Sequence, residues 1–452
     1  MKSSEISFYI ETLGCPKNIV DSRTMRSNLL QNGFKQSYDP ENADVILINT
    51  CSFIKEAQES TIETIFDVLK IKNKKKNKNR KVGIVGCFAQ QFPGEIEKEI
   101  PEVDFIMGTG KYHEISHLIS QKFSIELKPL AFGDSITKQV DRPLLPPHAY
   151  FRIAQGCSRK CAFCIIPKIR GNLINFSLEE MKKQYKEEMA ARTDDSPLRE
   201  AIFVSQDTIS TSIEDLRQFV EFFQNIEHIK WIRIHYLFPD KRVFEILKLM
   251  KQFSKIVPYL DIPFQHISAA ILKKMNRPDD IELFKDIIKQ ALILNPEIEI
   301  RTAFIIGFPG ETDQDVECIA DFLRNQAIHK CSFFRYSHEI GTSAYENFKD
   351  DVPDDIKVER INYLREIHIQ TRNELRARWI GQKTQLMLDE INPNEIIARR
   401  PQDSPDIDEV VYIRRDPKSL KKDYKSGDIV EGCLDNAMEY DWIGEITNDY
   451  HT

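Results

Sequence analysis

The 452-residue sequence predicts an α/β protein built of three parts: an N-terminal doubly wound parallel sheet, a central (β/α)6 partial barrel and a small C-terminal five-stranded antiparallel β-barrel. Three observations predict this fold class. Apolar, β-rich runs alternate with helical segments over the first third, six further strand–helix pairs follow, and the tail holds only short β-rich runs. This length suits two to four domains. We place the boundaries at 1–140, 141–149 (a linker), 150–377 and 378–452.

Each of three apolar runs in the first part has the composition of a buried parallel strand, and a cysteine follows each run. The runs are Ile6–Leu13, Val45–Thr50 and Val82–Gly86, and the cysteines are Cys15, Cys51 and Cys87. The carboxyl ends of parallel strands open onto one crevice, so the three thiols should converge. Free cysteine is often simply buried, and three structural thiols are the alternative. The shared position at three strand ends favours ligation.

A second set of cysteines has the spacing C-x3-C-x2-C, at Cys157, Cys161 and Cys164. A four-iron, four-sulfur cluster normally takes four thiolates, so this set leaves one iron without a protein ligand. Such an open position can bind a substrate, as in catalytic zinc sites. A structural metal knuckle is the alternative. Gly14, Gly86 and Gly156 each precede a proposed ligand, where glycine lets the backbone turn tightly around an inorganic core.

The central part contains six candidate strands, and its chemistry should lie at their C-terminal ends. The strand candidates are Tyr150–Gln155, Ala201–Val204, Trp231–His235, Tyr259–Ile262, Ile298–Ile306 and Lys330–Tyr336. An amphipathic connector helix follows at Asp355–Ile380. The tail shows four β-rich runs, namely Thr384–Leu388, Glu395–Ala398, Val410–Ile413 and Ile429–Leu434.

The run from Gly156 to Cys164, including the aromatic Phe163, resembles the radical S-adenosylmethionine (radical SAM) signature. In that family the open iron chelates S-adenosylmethionine, which is then split to a 5′-deoxyadenosyl radical. The sequence segments around Cys15, Cys51 and Cys87 resemble those of the N-terminal domain of methylthiotransferases, in which three cysteines hold a second, auxiliary cluster. The tail resembles the TRAM domain that closes these enzymes. The resemblance implies two 4Fe-4S clusters and S-adenosyl-L-methionine as cofactors.

The same resemblance implies a set of site residues. The cluster ligands would be Cys15, Cys51, Cys87, Cys157, Cys161 and Cys164, and the cofactor-binding residues would be Phe163, Ser205, Gln206, Gln265 and Arg301. No other residue needs a catalytic role if the substrate hydrogen leaves as an atom. His266 fits a hydrogen-bonded pocket residue better than a base, and Asp207 and Asp261 could equally be cap or turn residues.

Cys15-Pro16-Lys17-Asn18 resembles the RimO-type branch, which converts an aspartate β-carbon of ribosomal protein S-twelve from C–H to C–S–CH3. Val204–Thr208 and Ser404–Asp408 match that branch as well, whereas the tRNA-modifying MiaB type usually has Gln-Met-Asn after its first cysteine. Residues 378–452 contain 10 Lys and Arg against 16 Asp and Glu. A net charge of −6 suits a basic protein better than a nucleic-acid backbone.

Two alternatives remain open: a tRNA methylthiotransferase, and a non-catalytic iron–sulfur protein that binds nucleic acid. A cobalamin-dependent enzyme is not expected, because no histidine lies in an Asp-x-His-x-x-Gly context. The sequence departs from the family pattern at Gln155, where an acidic residue is usual, at Phe176, where arginine is usual, and at Glu409, where glycine is common. None of the three is a proposed cluster ligand.

Bulk properties predict a cytoplasmic protein. The N-terminus has no apolar segment typical of a secretion signal, and no apolar run approaches the length of a membrane span. Nine cysteines, six of them in two spaced sets, favour metal ligation in a reducing compartment. A reductant such as flavodoxin or ferredoxin is expected as a partner. The basic segment Lys70–Lys81 is predicted to be a solvated loop, with ribosomal RNA contact as an alternative.

Overall fold

The computed structural model describes residues 3–72, 79–127, 144–414 and 423–448. The chain divides into two compact units. Unit 1 comprises residues 1–143, 150–159 and 165–191, and unit 2 comprises 144–149, 160–164 and 192–452. Residues 73–78 of the basic segment and 141–143 of the proposed linker lie outside the described residues. Within the described ranges, no helix combines the length and apolar character needed to span a membrane.

Unit 1 contains a five-stranded, all-parallel sheet with the order β2-β1-β3-β4-β5, which confirms the predicted doubly wound sheet. Its strands are β1 (Ser7–Thr12), β2 (Lys35–Gln36), β3 (Val45–Thr50), β4 (Lys81–Gly86) and β5 (Phe105–Met107). Its helices are α1 (Pro16–Gln31), α2 (Lys55–Lys72), α3 (Cys87–Gln91), α4 (Pro93–Glu99) and α5 (Ile115–Phe123). The sequence pattern missed β2 and β5.

Both faces of the unit 1 sheet are buried, which explains why its strands appear in the sequence as continuous apolar runs. All six residues of β3 are buried. One face of the sheet packs Phe8 and Leu47 against Met25 of α1, and the other packs Ile46 and Ile84 against the second helical layer. A parallel sheet covered by helices on both sides needs apolar residues at successive positions. This packing fixes the strand ends at which the cysteines lie.

The chain next forms short elements that complete unit 1. They are β6 (His148–Arg152), β7 (Ala154–Gln155), α6 (Ile166–Arg170), β8 (Ile174–Asn175) and α7 (Leu178–Ala191). Strand β6 spans the boundary between the units, and β7 pairs antiparallel with β8. The loop between β7 and α6 contains the second cysteine set.

Unit 2 carries the remaining barrel strands and their helices. The strands are β9 (Glu200–Val204), β10 (Trp231–Ile234), β11 (Tyr259–Asp261), β12 (Glu299–Ile306) and β13 (Lys330–Arg335). The helices are α8 (Ile213–Gln224), α9 (Val243–Gln252), α10 (Ala269–Lys274), α11 (Ile281–Leu294), α12 (Asp313–Asn325), α13 (Ser343–Asn347) and α14 (Asp354–Ala377). Strand β9 pairs parallel with β10, and β12 lies parallel between β11 and β13. The (β/α)6 prediction is confirmed.

The barrel helices begin at residues that satisfy their free backbone N–H groups. Thr312 and Asp315 form a capping box at the start of α12, and the Ser212 side chain accepts from the backbone of Asp215 at the start of α8. Such caps stabilise a helix by about 1 kcal/mol each. The inner face of α8 buries Phe219 and Phe223 against Phe203 of β9.

The C-terminal module is a closed five-stranded barrel. Its strands are β14 (Lys383–Ile391), β15 (Glu395–Arg399), β16 (Val411–Arg414), β17 (Ile429–Ala437) and β18 (Trp442–Asn448). The barrel confirms the predicted module, with one correction: four pairings are antiparallel, but β16 and β18 run parallel. A closed ring of five strands cannot alternate in direction at every pair of neighbours, so one pair must be parallel, and here it is the pair β16 and β18.

The last residue of β15 and the loop that follows it contact the N-terminal ends of central-barrel strands through buried ion pairs. Arg399 pairs with Glu200 of β9, and Arg400 pairs with Glu299 of β12, with Nη1 and Oε1 3.1 Å apart. Asp403 lies 3.1 Å from Nζ of Lys330 on β13. All of these side chains are buried. Removing one partner of such a group leaves an uncompensated charge, so the two modules stabilise each other.

Candidate iron–sulfur and S-adenosylmethionine sites

Cys15, Cys51 and Cys87 occupy the C-terminal ends of three neighbouring strands of the unit 1 sheet. Cys15 is the N-cap of α1, Cys51 directly follows β3, and Cys87 is the first residue of α3. The sheet order places β3 between β1 and β4. The structure therefore brings the three thiols to one sheet edge, as the sequence pattern predicts.

Two glycines shape the edge at which these thiols meet. Gly14 and Gly86 have φ angles of 87° and 94°, in the region that favours glycine. A Cβ atom added at Gly14 would lie 2.8 Å from Sγ of Cys51. A Cβ added at Gly86 would lie 2.5 Å from Oδ1 of Asn49. The backbone around the thiols thus forms a cradle that side chains at these positions would fill.

Burial favours the protonated form of two of these thiols, Cys51 and Cys87, by raising the pKa of each. Burial raises the pKa of Cys51, and the neighbouring Cys15 thiol raises it further. Burial also raises the pKa of Cys87 to about 11, while Arg170 acts in the opposite direction. Among the described ranges, no three His, Cys, Asp or Glu side chains are close enough to hold a single metal ion. Three thiolates on a four-iron core bind separate irons, so this donor set fits a cluster better than one ion.

Cys157 lies in unit 1, after β7. Its backbone N–H donates to the carbonyl of Gly171 at 3.1 Å, and its Sγ accepts from the backbone N–H of Arg159 at 3.4 Å. Gly156 has a φ of 75°, and a side chain there would collide with the backbone of Asn172. The unusual Gln155 accepts a hydrogen bond from Nη1 of Arg152 through its Oε1. The loop is thus fixed from both sides.

Cys161 and Cys164 lie in unit 2 and form a turn, in which the backbone N–H of Cys164 donates a hydrogen bond to the carbonyl of Cys161. Nη1 of Arg277 lies 3.8 Å from Sγ of Cys161. Arg277 follows the left-handed residue Asn276, and no motif in the sequence marks it as part of this site. Phe163 packs with a buried cluster that includes Phe308 and Tyr336.

The predicted cofactor-binding residues of unit 2 lie on or after barrel strands. Ser205 and Gln206 follow β9 directly, and the Ser205 hydroxyl lies 3.0 Å from that of Thr208. Oε1 of Gln206 is buried and has no hydrogen-bond partner among the described residues. Gln265 has a φ of 73° and continues the sheet by bridging to Phe304 of β12.

Arg301 lies near the start of β12 rather than at its C-terminal end. Its Nη1 donates to Oδ1 of Asp408 at 2.7 Å, and its Nη2 donates to the hydroxyl of Ser332 at 2.9 Å. Burial opposes the charge, but Asp408 raises the pKa of Arg301 above its usual range. The neighbouring Glu409, which replaces the usual glycine, lies 3.2 Å from Nζ of Lys330.

Two buried histidines have structural partners. His266 accepts from the backbone N–H groups of Ile267 and Ser268 through Nδ1, and its Nε2 faces Glu311 at 3.3 Å. This supports the prediction of a hydrogen-bonded pocket residue. His235 contacts Asp261 and Ser404, each at 3.0 Å. Asp261 therefore holds a histidine and is not a helix cap.

A cavity of about 600 Å³ lies in unit 2 beside β13, α14 and the C-terminal barrel. Charged residues line its inner wall, among them Arg301, Lys330 and Asp408. Its rim includes Phe334, Ile407 and Tyr440, all of which are exposed. Exposed apolar side chains around a polar cavity are typical of binding surfaces.

Three family models match the chain in order. Residues 7–108 match "Uncharacterized protein family UPF0004", residues 151–323 match the radical SAM superfamily, and residues 380–447 match the TRAM domain. Together with the fold, these matches define a radical SAM methylthiotransferase, whose cofactors are S-adenosyl-L-methionine and 4Fe-4S clusters.

Curated relatives extend over nearly the whole chain. "Ribosomal protein uS12 methylthiotransferase RimO" of Leptospira biflexa is 37% identical over 97% of this chain and 96% of its own. The proteins of the same name from Caldanaerobacter subterraneus and Clostridioides difficile are 34% and 33% identical. They cover 96% and 97% of this chain, and 99% and 98% of their own. The chain belongs to the RimO family of ribosomal protein uS12 methylthiotransferases.

Solved structures support the fold. The radical S-adenosylmethionine methyltransferase TsrM from Kitasatospora setae, with cobalamin and a [4Fe-4S] cluster bound, matches with a TM-score of 0.52. It is 12% identical over 74% of this chain and 75% of its own. OxsB, a cobalamin-dependent S-adenosylmethionine radical enzyme, matches with a TM-score of 0.50 at 14% identity, over 81% of this chain and 56% of its own. At such identities the likeness concerns the fold alone.

Proposed function

We propose that this protein replaces a hydrogen on the β-carbon of an aspartate in ribosomal protein uS12 with a methylthio group. One observation carries the proposal: a cradle of three thiols at the strand ends of unit 1 accompanies a separate C-x3-C-x2-C loop in a chain of this family. One open cluster suffices for radical chemistry. A second set of three thiols gives the chain a place to carry the sulfur that is transferred.

The reaction requires removal of a hydrogen from a carbon that no ordinary side-chain base can deprotonate at neutral pH. Bound S-adenosylmethionine and the clusters supply the hydrogen abstraction, the methyl group and the sulfur. The protein supplies binding and orientation. Burial of Cys51, Cys87 and Cys157 limits the access of water, and Gly14 and Gly86 let the backbone approach an inorganic core closely.

We assign the ligands of the two clusters to the two cysteine sets, Cys15, Cys51 and Cys87 for the auxiliary cluster and Cys157, Cys161 and Cys164 for the S-adenosylmethionine cluster. For S-adenosylmethionine itself we propose Phe163, Ser205, Gln206, Gln265 and Arg301. The buried Oε1 of Gln206 has no hydrogen-bond partner in the described part of the chain, which supports its place in this set, because a buried acceptor without a partner is costly. Arg301 would act while bound to Asp408. We also propose the domain boundaries 1–140, 150–377 and 378–452.

The protein substrate is favoured over RNA by the charge of the C-terminal module. Its net charge of −6 repels phosphates and attracts a basic polypeptide. We propose that a segment of uS12 enters the cavity beside Phe334, Ile407 and Tyr440. We further propose a cytoplasmic location and a flavodoxin or ferredoxin as reductant. For the Lys70–Lys81 segment we propose a solvated loop, with contact to ribosomal RNA as the alternative.

The test is mass analysis of uS12 peptides from cells with and without this gene. We expect one aspartate to carry a methylthio group in the parent strain and none in the deletion strain. Complementation with the intact gene should restore the modification, and complementation with Cys51→Ala should not. Unmodified uS12 in both strains would refute the protein substrate. Loss of methylthiolated adenosine from tRNA in the deletion strain would then identify the tRNA reaction.

A further inference from the structure

A buried polar cluster surrounds Cys87, and its centre is Arg170, the last residue of α6. Nη2 of Arg170 lies 3.3 Å from Sγ of Cys87, 2.8 Å from Oδ2 of Asp21 and 2.7 Å from Oδ1 of Asn18. The Arg170 side chain is 1% exposed. All four residues belong to unit 1. The guanidinium group is therefore held in one place, against a thiol at the end of β4.

The cluster contains more positive than negative charge. Asp21 is fully buried and pairs with both Arg152 and Arg170. Two guanidinium groups thus share one carboxylate. An uncompensated buried charge is strongly destabilising, so the excess positive charge requires an anion. The three cysteines provide that anion once they bind iron as thiolates.

Two donors in this cluster also lack partners. Nη1 of Arg170 and the hydroxyl of Tyr112 are both buried without a hydrogen-bond partner among the described residues. Tyr112 is close enough to Arg170, Asp21 and Cys87 for their charges to act on its hydroxyl. A buried donor left without an acceptor costs about 1–3 kcal/mol. Two such donors beside one thiol indicate an acceptor that is part of the working protein.

We propose that Arg170 is a positioning residue of the auxiliary cluster. Its Nη2 donates a hydrogen bond to the Cys87 thiolate, and its Nη1 and the Tyr112 hydroxyl donate hydrogen bonds to anionic sulfur of the cluster. This inference rests on the proposed function in one respect, the assignment of Cys87 as a ligand. Asp21 and Asn18 orient the guanidinium group, and Arg152 shares the charge of Asp21.

The arrangement should raise the reduction potential of the auxiliary cluster. Reduction adds negative charge, and both the positive charge and the hydrogen bonds to sulfur stabilise the reduced form. Removing the guanidinium group should lower the ratio of reduced to oxidised cluster about tenfold at a fixed potential. For a one-electron couple this is a shift of about 59 mV toward negative potentials.

The test uses the full chain with Cys157, Cys161 and Cys164 replaced by alanine, so that only the auxiliary cluster can form. Three variants are made in this background: Arg170→Met, Tyr112→Phe and Arg80→Met. Arg80 is the matched control, because it is a buried arginine just before β4, at the end opposite Cys87, and its side-chain partners among the described residues are backbone carbonyls. Iron content is measured, and the midpoint potential is obtained by a redox titration followed by electron paramagnetic resonance.

We expect full iron content and a more negative midpoint in R170M, a smaller shift in the same direction in Y112F, and no shift in R80M. R170M could also lose iron while Y112F and R80M keep it. If the circular dichroism spectrum of R170M is then that of the parent, the result supports the positioning role, because the fold is intact and the contact with Cys87 is what was removed. An unchanged midpoint in iron-replete R170M overturns the inference. If R170M and R80M both lose iron, an unchanged midpoint in Y112F overturns it.

The parent background separates this inference from the proposed function. A parent chain that takes up no iron refutes the auxiliary site itself, and the role of Arg170 falls with it. A parent chain that binds iron while R170M keeps the parental midpoint refutes only the role of Arg170. Modification of uS12 is not needed for either result.

Discussion

Replacing Gly86 with alanine should disrupt the sheet edge that carries Cys87. The backbone of Gly86 has a φ of 94° and a ψ of −151°, a region that is essentially restricted to glycine and costs other residues about 1–3 kcal/mol. The added Cβ would also lie 2.5 Å from Oδ1 of Asn49 and 2.9 Å from the carbonyl of Thr50. Overpacking of this kind costs about 1–3 kcal/mol. We therefore expect the local free energy of unfolding to fall by about 2–6 kcal/mol.

Hydrogen–deuterium exchange of peptides covering β3 and β4 measures this loss directly. At a factor of ten per 1.4 kcal/mol, amides that open with the sheet should exchange about 30-fold to 20,000-fold faster in G86A. The matched control is Gly94→Ala in α4, where an added Cβ meets nothing within 4 Å. Alanine there should leave exchange unchanged or slow it, because alanine stabilises helices relative to glycine by up to about 1 kcal/mol.

The chemical readout for G86A is iron bound by the chain in which Cys157, Cys161 and Cys164 are alanine. We expect G86A to bind less iron than G94A. Equal exchange rates in β3 and β4 for the two variants would refute the steric argument. Equal iron content, with faster exchange only in G86A, would show that the cradle is dispensable for cluster binding.

Four further outcomes are expected. Cys161→Ala should abolish 5′-deoxyadenosine formation, measured by chromatography, whereas Cys433→Ala should retain it. Arg399→Met should lower the free energy of unfolding by about 3–5 kcal/mol in urea titrations, because buried Glu200 loses a partner. Burial lowers the pKa of His368 to about 4, from 6.5 when unfolded, so stability should fall by up to about 3 kcal/mol between pH 6.5 and 4, and by less in His368→Gln. Tyr440→Ala should raise the KM for uS12 several-fold without changing kcat if the cavity binds this substrate.

Patterns of apolar residues predicted the strands that are buried on both faces. Strand β3 is apolar at most positions and its predicted bounds, Val45–Thr50, are those of the structure. Strand β2 consists of Lys35 and Gln36 at the sheet edge. Two polar residues are too few to show the apolar–polar alternation by which a strand is predicted. Strand β18 begins at Trp442, which is buried in the C-terminal barrel, but its outward-facing positions include the apolar Ile443 as well as Glu445, so no clear apolar–polar alternation marks the strand.

The thiols of the candidate site were predictable, whereas the groups that surround them were not. A cysteine after each of three strands is visible in the sequence because topology alone brings strand ends together. Arg170 and Asp21 are 149 residues apart in the sequence, and no local sequence pattern indicates that their side chains are in contact. Arg301 shows the opposite case. It lies in a recognisable motif, yet its guanidinium group is bound by Asp408, which belongs to the distant C-terminal module.

The buried ion pairs of the loop after β15 restrict how the C-terminal module can be exchanged between related enzymes. Arg400 and Asp403 are matched to Glu299 and Lys330 on the central barrel. A chimera that imports a foreign module keeps Glu299 and Lys330 but loses their counterparts. Substrate range in this family should therefore change through surface positions of the module, or through joint replacement of both sides of this charge network.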